Sequence, residues 1–285
     1  EANNIQKRML RASKRLQALT EKYPDDERLE EAERLLHQGQ CNCAYWHGVF
    51  GGLYLNHLRT ALYEKIIAAD QIMDQVEDLA GEFVAFEATD FDADGNLEGV
   101  LENAHLALFF NPTDGGTLFE LDYKTVPFNF GNVLTRRDEV YHDQLREGRA
   151  LIGQESQGDL SIHEMVKAKE ADLDKLLVYD PYRRVSLRDH FIAETTELEA
   201  LWSGLEPDKG NFYNAVYAME PGADWAAFNA HGVVNDIPAR IRKKISLAPG
   251  VSHFEVAYEI TLDKPLPVDV FFGFEFIFNL LTGGA

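Results

Sequence analysis

Residues 40–55 combine side chains that could bind a sugar. Tyr45, Trp46 and His47 stand side by side in this segment, although a plain connection between helices needs only a cap and a turn. Aromatic faces stack on the apolar faces of sugar rings, and a His side chain can hydrogen-bond to the hydroxyl groups. The same aromatic residues could instead pack in a helical core. The chemistry of the segment alone leaves both interpretations open.

A second stretch is rich in carboxylates that could bind a cation. Asp90, Asp92 and Asp94 alternate along the chain, and Gly95 follows them. This spacing matches the front half of an EF-hand loop, but the twelfth position is Leu101 and no helices flank the stretch. We therefore favour a β-hairpin turn, with a structural calcium ion on Asp90, Asp92 and Asp94 as the alternative. No cofactor is required by any other feature.

The two cysteines of the chain, Cys41 and Cys43, are one residue apart. Together with His47 they could hold a soft metal ion, but a fourth ligand is not evident. Because they are so close in sequence, they cannot link distant parts of the chain, and a disulfide-stabilised secreted scaffold is not indicated. A reducing cytoplasm is the expected location.

The charge balance restricts the class of partner. Lys and Arg number 27 against 48 Asp and Glu, which gives a net charge of -21. This charge argues against nucleic acid and anionic membrane surfaces, whereas a neutral ligand such as a sugar is unaffected. No stretch approaches the ~18 apolar residues of a membrane span, and residues 1–22 are too charged for a signal peptide.

Periodicity predicts three amphipathic helices around residues 40–55, two before the segment and one after it. In each helix the apolar residues recur at spacings of three and four, which marks one buried face. Such helices form a small bundle or a wall against another element. The predicted stripes are Ile5, Met9, Ala12, Leu16 and Leu19; Leu29, Ala32, Leu35 and Leu36; and Leu55, Leu58, Leu62, Ile66, Ala69, Met73 and Val76.

The period becomes alternating after residue 80, which predicts strands. The runs are residues 83–86, 106–110, 116–121, 128–130, 212–217, 243–247, 254–262 and 268–278, with a short helix in 136–149 and a surface excursion in 153–175. The last run has a continuous apolar face that needs a second sheet over it. The predicted fold class is α+β, with a short helical bundle (residues 1–80) followed by an antiparallel β-sandwich (residues 81–285). Because the chain opens without Met and stops just after an apolar strand, we expect both ends to be cut and the sandwich to be incomplete.

Several segments together resemble one enzyme family. Residues 40–59 resemble the last sequence block of the α-amylases and 4-α-glucanotransferases of glycoside hydrolase family 57, in which a helical region follows a (β/α)7 barrel. Residues 92–95, 111–122, 132–137, 179–191 and 274–281 resemble the C-terminal β-sandwich of that family, which is similar to galactose mutarotase. The resemblance spans most of the chain.

The resemblance implies a role for the first segment but no catalytic residue. The Trp of that block borders the substrate cleft in the family, so Trp46, with His47 and Tyr45 beside it, is expected to contact an α-1,4-glucan such as maltooligosaccharide, amylose, starch or glycogen. Family 57 enzymes are retaining, with a Glu nucleophile and an Asp acid/base on the barrel. The barrel of the same polypeptide is therefore the expected partner, and this part alone is predicted to be inactive. The sequence does not distinguish hydrolysis from transfer.

Two alternatives remain. The chain could be a stand-alone glucan-binding module, or a mutarotase-like sugar epimerase that uses a His acid and a Glu base. For the epimerase the available residues are His142, His190 and Glu275, none of which sits in a distinctive motif. The competing interpretation is that these three are ordinary surface or core residues.

Overall fold

Three long helices form the first part of the chain. They are α1 (Ala2–Lys22), α2 (Arg28–Gly39) and α3 (Asn56–Val76). The predicted stripes are confirmed, because residues of all three, such as Leu16, Leu36 and Met73, meet in one apolar cluster. The apolar face of each helix therefore packs against the other two helices.

The computed structural model describes residues 1–47, 51–79, 81–146, 151–152, 167–168, 173–204 and 206–280. Within those ranges, every helix is too short or too polar to cross a lipid bilayer.

The rest of the chain is built mainly from antiparallel strands. The first sheet contains, in spatial order, β1 (Val84–Thr89), β2 (Glu98–Asn103), β3 (Leu106–Asn111), β4 (Thr117–Tyr123) and β5 (Phe128–Asn129). There follow α4 (Val140–Arg146), the short parallel pair β6 (Leu151–Ile152) and β7 (Lys167–Ala168), β8 (Arg188–Ala193) and α5 (Leu198–Ser203). The last strands are β9 (Ala218–Pro221), β10 (Trp225–Val234), β11 (Ile237–Ser246), β12 (Glu255–Leu262) and β13 (Val270–Glu275).

The two larger sheets pack face to face over one core. The second sheet has the order β12-β11-β10-β9, and β13 pairs with β8. Phe110 of β3 and Phe228 of β10, with ring centroids 5.1 Å apart, belong to the apolar cluster that the sheets share. Phe109 points to the opposite face of the first sheet, beneath α1. The predicted order, a helical region followed by antiparallel sheets, is therefore confirmed.

Several local predictions differ from the structure, and strands β9 and β10 were not predicted. Residues 212–217 do not form a strand; Phe212 and Tyr217 are both buried, but a turn lies between them and strand pairing begins only at Ala218. Strand β8 was not predicted, because Arg188 and Asp189 are charged although both are fully buried. Most of the excursion predicted at 153–175 lies outside the described residues.

Asp189 is buried because it is fully partnered. It accepts hydrogen bonds from Lys243 Nζ at 2.9 Å, from the Tyr217 hydroxyl at 2.7 Å and from the Tyr258 hydroxyl at 2.8 Å. A buried ion pair with complete hydrogen bonding fixes a unique arrangement of its neighbours. It joins β8 to β11 and β12.

Arg8 joins the helices to the first sheet. It lies on the buried face of α1, where an apolar residue would be expected, and it is fully buried. Its guanidinium donates to Asp70 of α3, to Glu120 at 2.9 Å and to Asp122 at 3.1 Å, both on β4. Further ion pairs surround this centre. Lys124 is buried and pairs with Asp74 and Glu102, whereas the partly exposed Arg15 pairs with Asp74 and Glu77, and Arg11 pairs with Glu87 and Glu102.

The carboxylates around Arg8 differ in their affinity for protons. Burial raises the pKa of Glu120 well above its ordinary value of 4.5, and the adjacent Asp122 raises it further. Burial raises the pKa of Asp122 as well, against the attraction of Arg8. Burial also opposes the charge of Asp70, but Arg8 and Arg15 outweigh it and lower its pKa. The folded protein therefore keeps a proton on the Glu120–Asp122 pair at pH values where the unfolded chain would lose it.

Replacing Arg8 by Met should lower the free energy of unfolding by about 3–5 kcal/mol, because three carboxylates would stay buried without their cation. Arg11→Met is the matched control on the same helix. Its side chain is 21% exposed and its partner Glu87 is 51% exposed, and pairs of that kind contribute about 0–1 kcal/mol. Urea unfolding of both variants measures the difference. Equal losses would show that the buried network is not what joins the layers.

Replacing Glu120 by Gln should flatten the dependence of stability on pH. A carboxyl whose pKa is raised on folding contributes stability that is fully present below its ordinary value of 4.5 and is lost as the pH rises through its folded-state value. The wild type should therefore lose stability relative to Glu120→Gln as the pH rises, by about 1.4 kcal/mol per pH unit between those two values. Urea unfolding at about pH 5, 6.5 and 8 tests this, and parallel profiles would refute it.

Candidate functional site

In the segment 40–55, the described residues 40–47 and 51–55 contact each other, and Trp46 is exposed. Two single turns of 3-10 helix, Asn42–Tyr45 and Gly52–Tyr54, flank the centre of the segment. The carbonyl of Trp46 accepts the N–H of Leu53 at 3.0 Å. Gly52 has φ 50°, and a Cβ there would lie 2.3 Å from that carbonyl oxygen, so only glycine allows this closure. Phe50, which the sequence placed in the same group of aromatics, lies outside the described residues.

The three predicted sugar contacts point in different directions. Trp46 is 56% exposed and His47 is also exposed. Tyr45 turns inward: its hydroxyl donates to the carbonyl of Gly39, and its ring packs against the cluster that contains Leu62. This placement makes Trp46 and His47 available to a ligand and favours a packing role for Tyr45.

Aromatic rings continue from His47 across the surface. The His47 ring centroid lies 5.1 Å from that of Tyr54 and 6.0 Å from that of Tyr141. Tyr141 lies 4.6 Å from His142, which in turn lies 5.7 Å from Tyr179. All of these side chains keep part of their surface open to solvent. We call the set the aromatic ridge; its members are Trp46, His47, Tyr54, Tyr141, His142 and Tyr179.

Hydrogen bonds hold the rings of the ridge in place. The Tyr54 hydroxyl donates to Glu139 Oε1 at 2.6 Å. The backbone N–H of Glu139 donates to Nδ1 of His142 at 3.1 Å, and the Tyr179 hydroxyl lies 3.1 Å from the same nitrogen. These hydrogen bonds fix the positions of Tyr54, His142 and Tyr179 within the ridge.

The start of α3 is attached to the segment that follows β5. Arg59 is buried, and its Nε donates to Asn132 Oδ1 at 2.8 Å. Asn56 donates from Nδ2 to Asn279 Oδ1 at 3.0 Å. These contacts place residues 40–55 next to Tyr141 and Tyr179.

Sequence reasoning found only part of the ridge. Trp46 and His47 were named, but Tyr54 was passed over although it lies in the same segment. Tyr141 lies in a stretch predicted only to be a short helix, His142 was a candidate for the epimerase rather than for this surface, and Tyr179 lies in one of the segments that resemble family 57. The composition of residues 40–55 could have indicated Tyr54, whereas the other rings are brought there by the fold.

The residues named for an epimerase separate into two places. His190 and Glu275 lie on the paired strands β8 and β13, with Nε2 of His190 3.6 Å from Oε2 of Glu275 and Nδ1 2.8 Å from Asp208. Burial opposes the charge on His190, but Asp208 and Glu275 outweigh it and raise its pKa to about 9. A catalytic acid and base must each reach the substrate, whereas these two face each other as an ion pair. His142 belongs to the aromatic ridge.

The acidic stretch forms the hairpin loop between β1 and β2, as the favoured interpretation predicted. One carboxylate oxygen from each of Asp90, Asp92 and Glu98 lies within 4.8 Å of the others. Asp94, the third residue of the sequence prediction, is not a member of this group, and its Oδ1 accepts the backbone and side-chain N–H groups of Asn96 at 2.7 and 3.0 Å. Burial raises the pKa of Glu98 to about 7.

The cysteines are exposed free thiols. Within the described part of the chain, Cys41, Cys43 and His47 do not form a group close enough to share a metal ion. The hypothesis of a soft-metal site therefore gains no support from the geometry.

Two family models match the chain. The C-terminal domain of α-amylase/4-α-glucanotransferase matches residues 90–285, and the middle domain of the same family matches residues 1–73. This chain belongs to that family, glycoside hydrolase family 57. The resemblance inferred from residues 40–59 and from the strand motifs is therefore confirmed. Proteins similar to this chain in sequence or in structure are likewise α-amylases and 4-α-glucanotransferases.

Those relatives are much longer than this chain. α-Amylase 1 of Dictyoglomus thermophilum is 39% identical, over 99% of this chain and 39% of its own length. The 4-α-glucanotransferase of Thermococcus kodakarensis is 35% identical, over 92% of this chain and 37% of its own length. The crystal structure of the 4-α-glucanotransferase from Thermococcus litoralis matches with a TM-score of 0.75 and 33% identity, covering 96% of this chain and 38% of that one. The chain thus spans little more than a third of each relative.

Proposed function

We propose that this chain forms one wall of the glucan-binding cleft of an α-amylase or a 4-α-glucanotransferase and supplies no catalytic group. The observation that carries the proposal is Trp46, which is 56% exposed and directly precedes His47, the first ring of the aromatic row. The segment around it resembles the cleft-bordering block of family 57. Because the relatives are α-amylases and 4-α-glucanotransferases, the ligand is an α-1,4-glucan such as maltooligosaccharide, amylose, starch or glycogen.

The chemistry of the ridge suits a neutral chain of sugars. An indole face covers the apolar face of a glucose ring, and tyrosine and histidine side chains offer hydrogen bonds to hydroxyl groups. Because Glu139 fixes Tyr54, little side-chain entropy is lost when a ligand binds. A net charge of -21 does not repel an uncharged glucan.

The chemical step belongs to a partner domain. In a retaining mechanism, a nucleophile and an acid/base stand ~5 Å apart across the scissile bond, and the family resemblance places both on a (β/α)7 barrel of the same polypeptide. This chain supports that barrel and borders its cleft. We place the protein in the cytoplasm, because its two cysteines offer no disulfide framework.

Trp46→Ala should weaken binding of amylose and maltoheptaose by about 1 kcal/mol, or roughly five-fold in Kd, through the loss of ring stacking. Trp202→Ala is the matched control, because Trp202 is 52% exposed, close to the 56% of Trp46, but is not part of the ridge. Affinity electrophoresis in amylose gels and titration with maltoheptaose give the two affinities. If both variants bind as the wild type does, Trp46 is not a glucan contact.

The chain by itself should neither hydrolyse nor rearrange maltoheptaose, because it carries neither carboxylate of the retaining pair. Product analysis by chromatography after long incubation measures this. The same preparation should leave the rate of α/β interconversion of free glucose at its spontaneous value, because His190 and Glu275 pair with each other. Turnover of maltoheptaose would contradict the proposal, and faster interconversion that is lost in Glu275→Gln would support the epimerase instead.

A further inference from the structure

The hairpin loop between β1 and β2 contains a cluster of carboxylates that the sugar contacts do not use. We infer that this loop binds one calcium ion through Asp90, Asp92 and Glu98. The inference concerns a different surface from the aromatic ridge, and it stands or falls independently of glucan binding.

The spacing of the three carboxylates fits a single ion. One oxygen from each lies within 4.8 Å of the others. Calcium binds oxygen ligands at about 2.3–2.6 Å, so two ligands of the same ion can be separated by up to about twice that length. The carboxylates of Asp90, Asp92 and Glu98 can therefore reach a common centre without movement of the backbone.

Glu98 is the observation that separates this cluster from an ordinary acidic surface. Glu98 is the first residue of β2, and it is only 1% exposed. One oxygen, Oε2, accepts the N–H of Phe91 at 2.8 Å, but Oε1 is buried without a hydrogen-bond partner among the described residues. Oδ1 of Asp92 is likewise buried and unpartnered. Buried carboxylate oxygens without a partner are unfavourable, and a cation between them removes that penalty.

No side-chain cation of the protein fills this role. Among the described residues, neither Asp92 nor Glu98 forms an ion pair with a Lys or Arg. Arg183 is the basic residue whose charge acts on Asp92, and its guanidinium lies over the ring of Phe119, 5.5 Å from the centroid. The place between Asp92 and Glu98 is therefore open to a cation from solution.

The donor set favours calcium over other divalent ions. All three side chains offer hard oxygen atoms, and a loop with φ of 62° at Ala93 and 94° at Gly95 wraps around them. Calcium accepts irregular arrangements of six to eight oxygens, part of them from water, whereas magnesium demands a near-octahedral shell and gives up its water reluctantly. The absence of His or Cys from the group speaks against zinc.

A bound ion would fix the loop between two layers of the protein. Phe91 is buried in the cluster on the outer face of the first sheet, with its ring 5.4 Å from Phe109 and 5.5 Å from Phe119. The carbonyl of Asp92 accepts the side-chain N–H of Asn3 on α1 at 3.1 Å. Calcium at Asp90, Asp92 and Glu98 would therefore stabilise the contact between the hairpin and the first helix.

Calorimetric titration of the EGTA-treated chain with calcium chloride, in about 0.1 M KCl to screen the net charge, tests the inference. We expect saturable binding of one ion, and a rise in Tm of about 5 °C or more at a calcium concentration of ~100 times Kd. Magnesium chloride at the same concentration should produce a much smaller rise.

Glu98→Gln should abolish binding while keeping the shape of the side chain, and Asp92→Asn serves as a second variant should the first fail to fold. Asp94→Asn removes one charge from the same loop but leaves the three ligands intact, so it should bind calcium as the wild type does. Circular dichroism and Tm in EGTA confirm that each variant is folded. The inference is wrong if the wild type shows no saturable binding, if folded Glu98→Gln and Asp92→Asn bind as well as the wild type, or if Asp94→Asn loses binding as they do.

Discussion

The structure depends on one buried cation, Arg8. The apolar faces of the three helices are used against one another, so α1 has no second apolar stripe for the sheet beside it. Its contact with β4 is made instead by a guanidinium that reaches Glu120, Asp122 and Asp70. A charge with these fixed partners tolerates few other arrangements, whereas an apolar contact could slide. The orientation of the helices against the sheet follows from this geometry.

The aromatic ridge is a consequence of that orientation. Trp46, His47 and Tyr54 belong to the connection between α2 and α3, while Tyr141 and Tyr179 come from the β-rich part of the chain. Neither group forms a continuous surface alone. Because Arg8 sets how the two parts meet, and Arg59 locks the start of α3 onto Asn132, the rings lie within stacking distance of each other. The surface that we propose for glucan binding therefore depends on buried polar contacts that lie outside it.

Periodicity predicted the three helices and most strands, because apolar spacing reflects burial directly. It missed buried charge. Neither the burial of Arg8 nor strand β8 was predicted, since the partners that make Arg8 and Asp189 tolerable in the interior lie far along the chain. The site divides in the same way. Trp46 and His47 could be predicted from local composition. In the acidic loop, Glu98 rather than Asp94 completes the group with Asp90 and Asp92. The sequence could not predict this, because the burial of Glu98 at the start of β2 is a property of the folded hairpin.

The way in which the excess carboxylates of this acidic chain are compensated depends on how deeply they are buried. At Asp189, Lys243 and the hydroxyls of Tyr217 and Tyr258 supply the partners of the buried carboxylate. Around Arg8, carboxylates outnumber the central cation in a site closed to solvent, and burial raises the pKa of both Glu120 and Asp122. The hairpin differs from both: Asp90 is exposed while Glu98 is buried. An ion can enter such a half-open site from solution, which a sealed interface does not permit. Depth therefore decides whether an excess carboxylate is matched by a side chain or by a raised pKa, or stays open to the calcium ion that we propose for the hairpin.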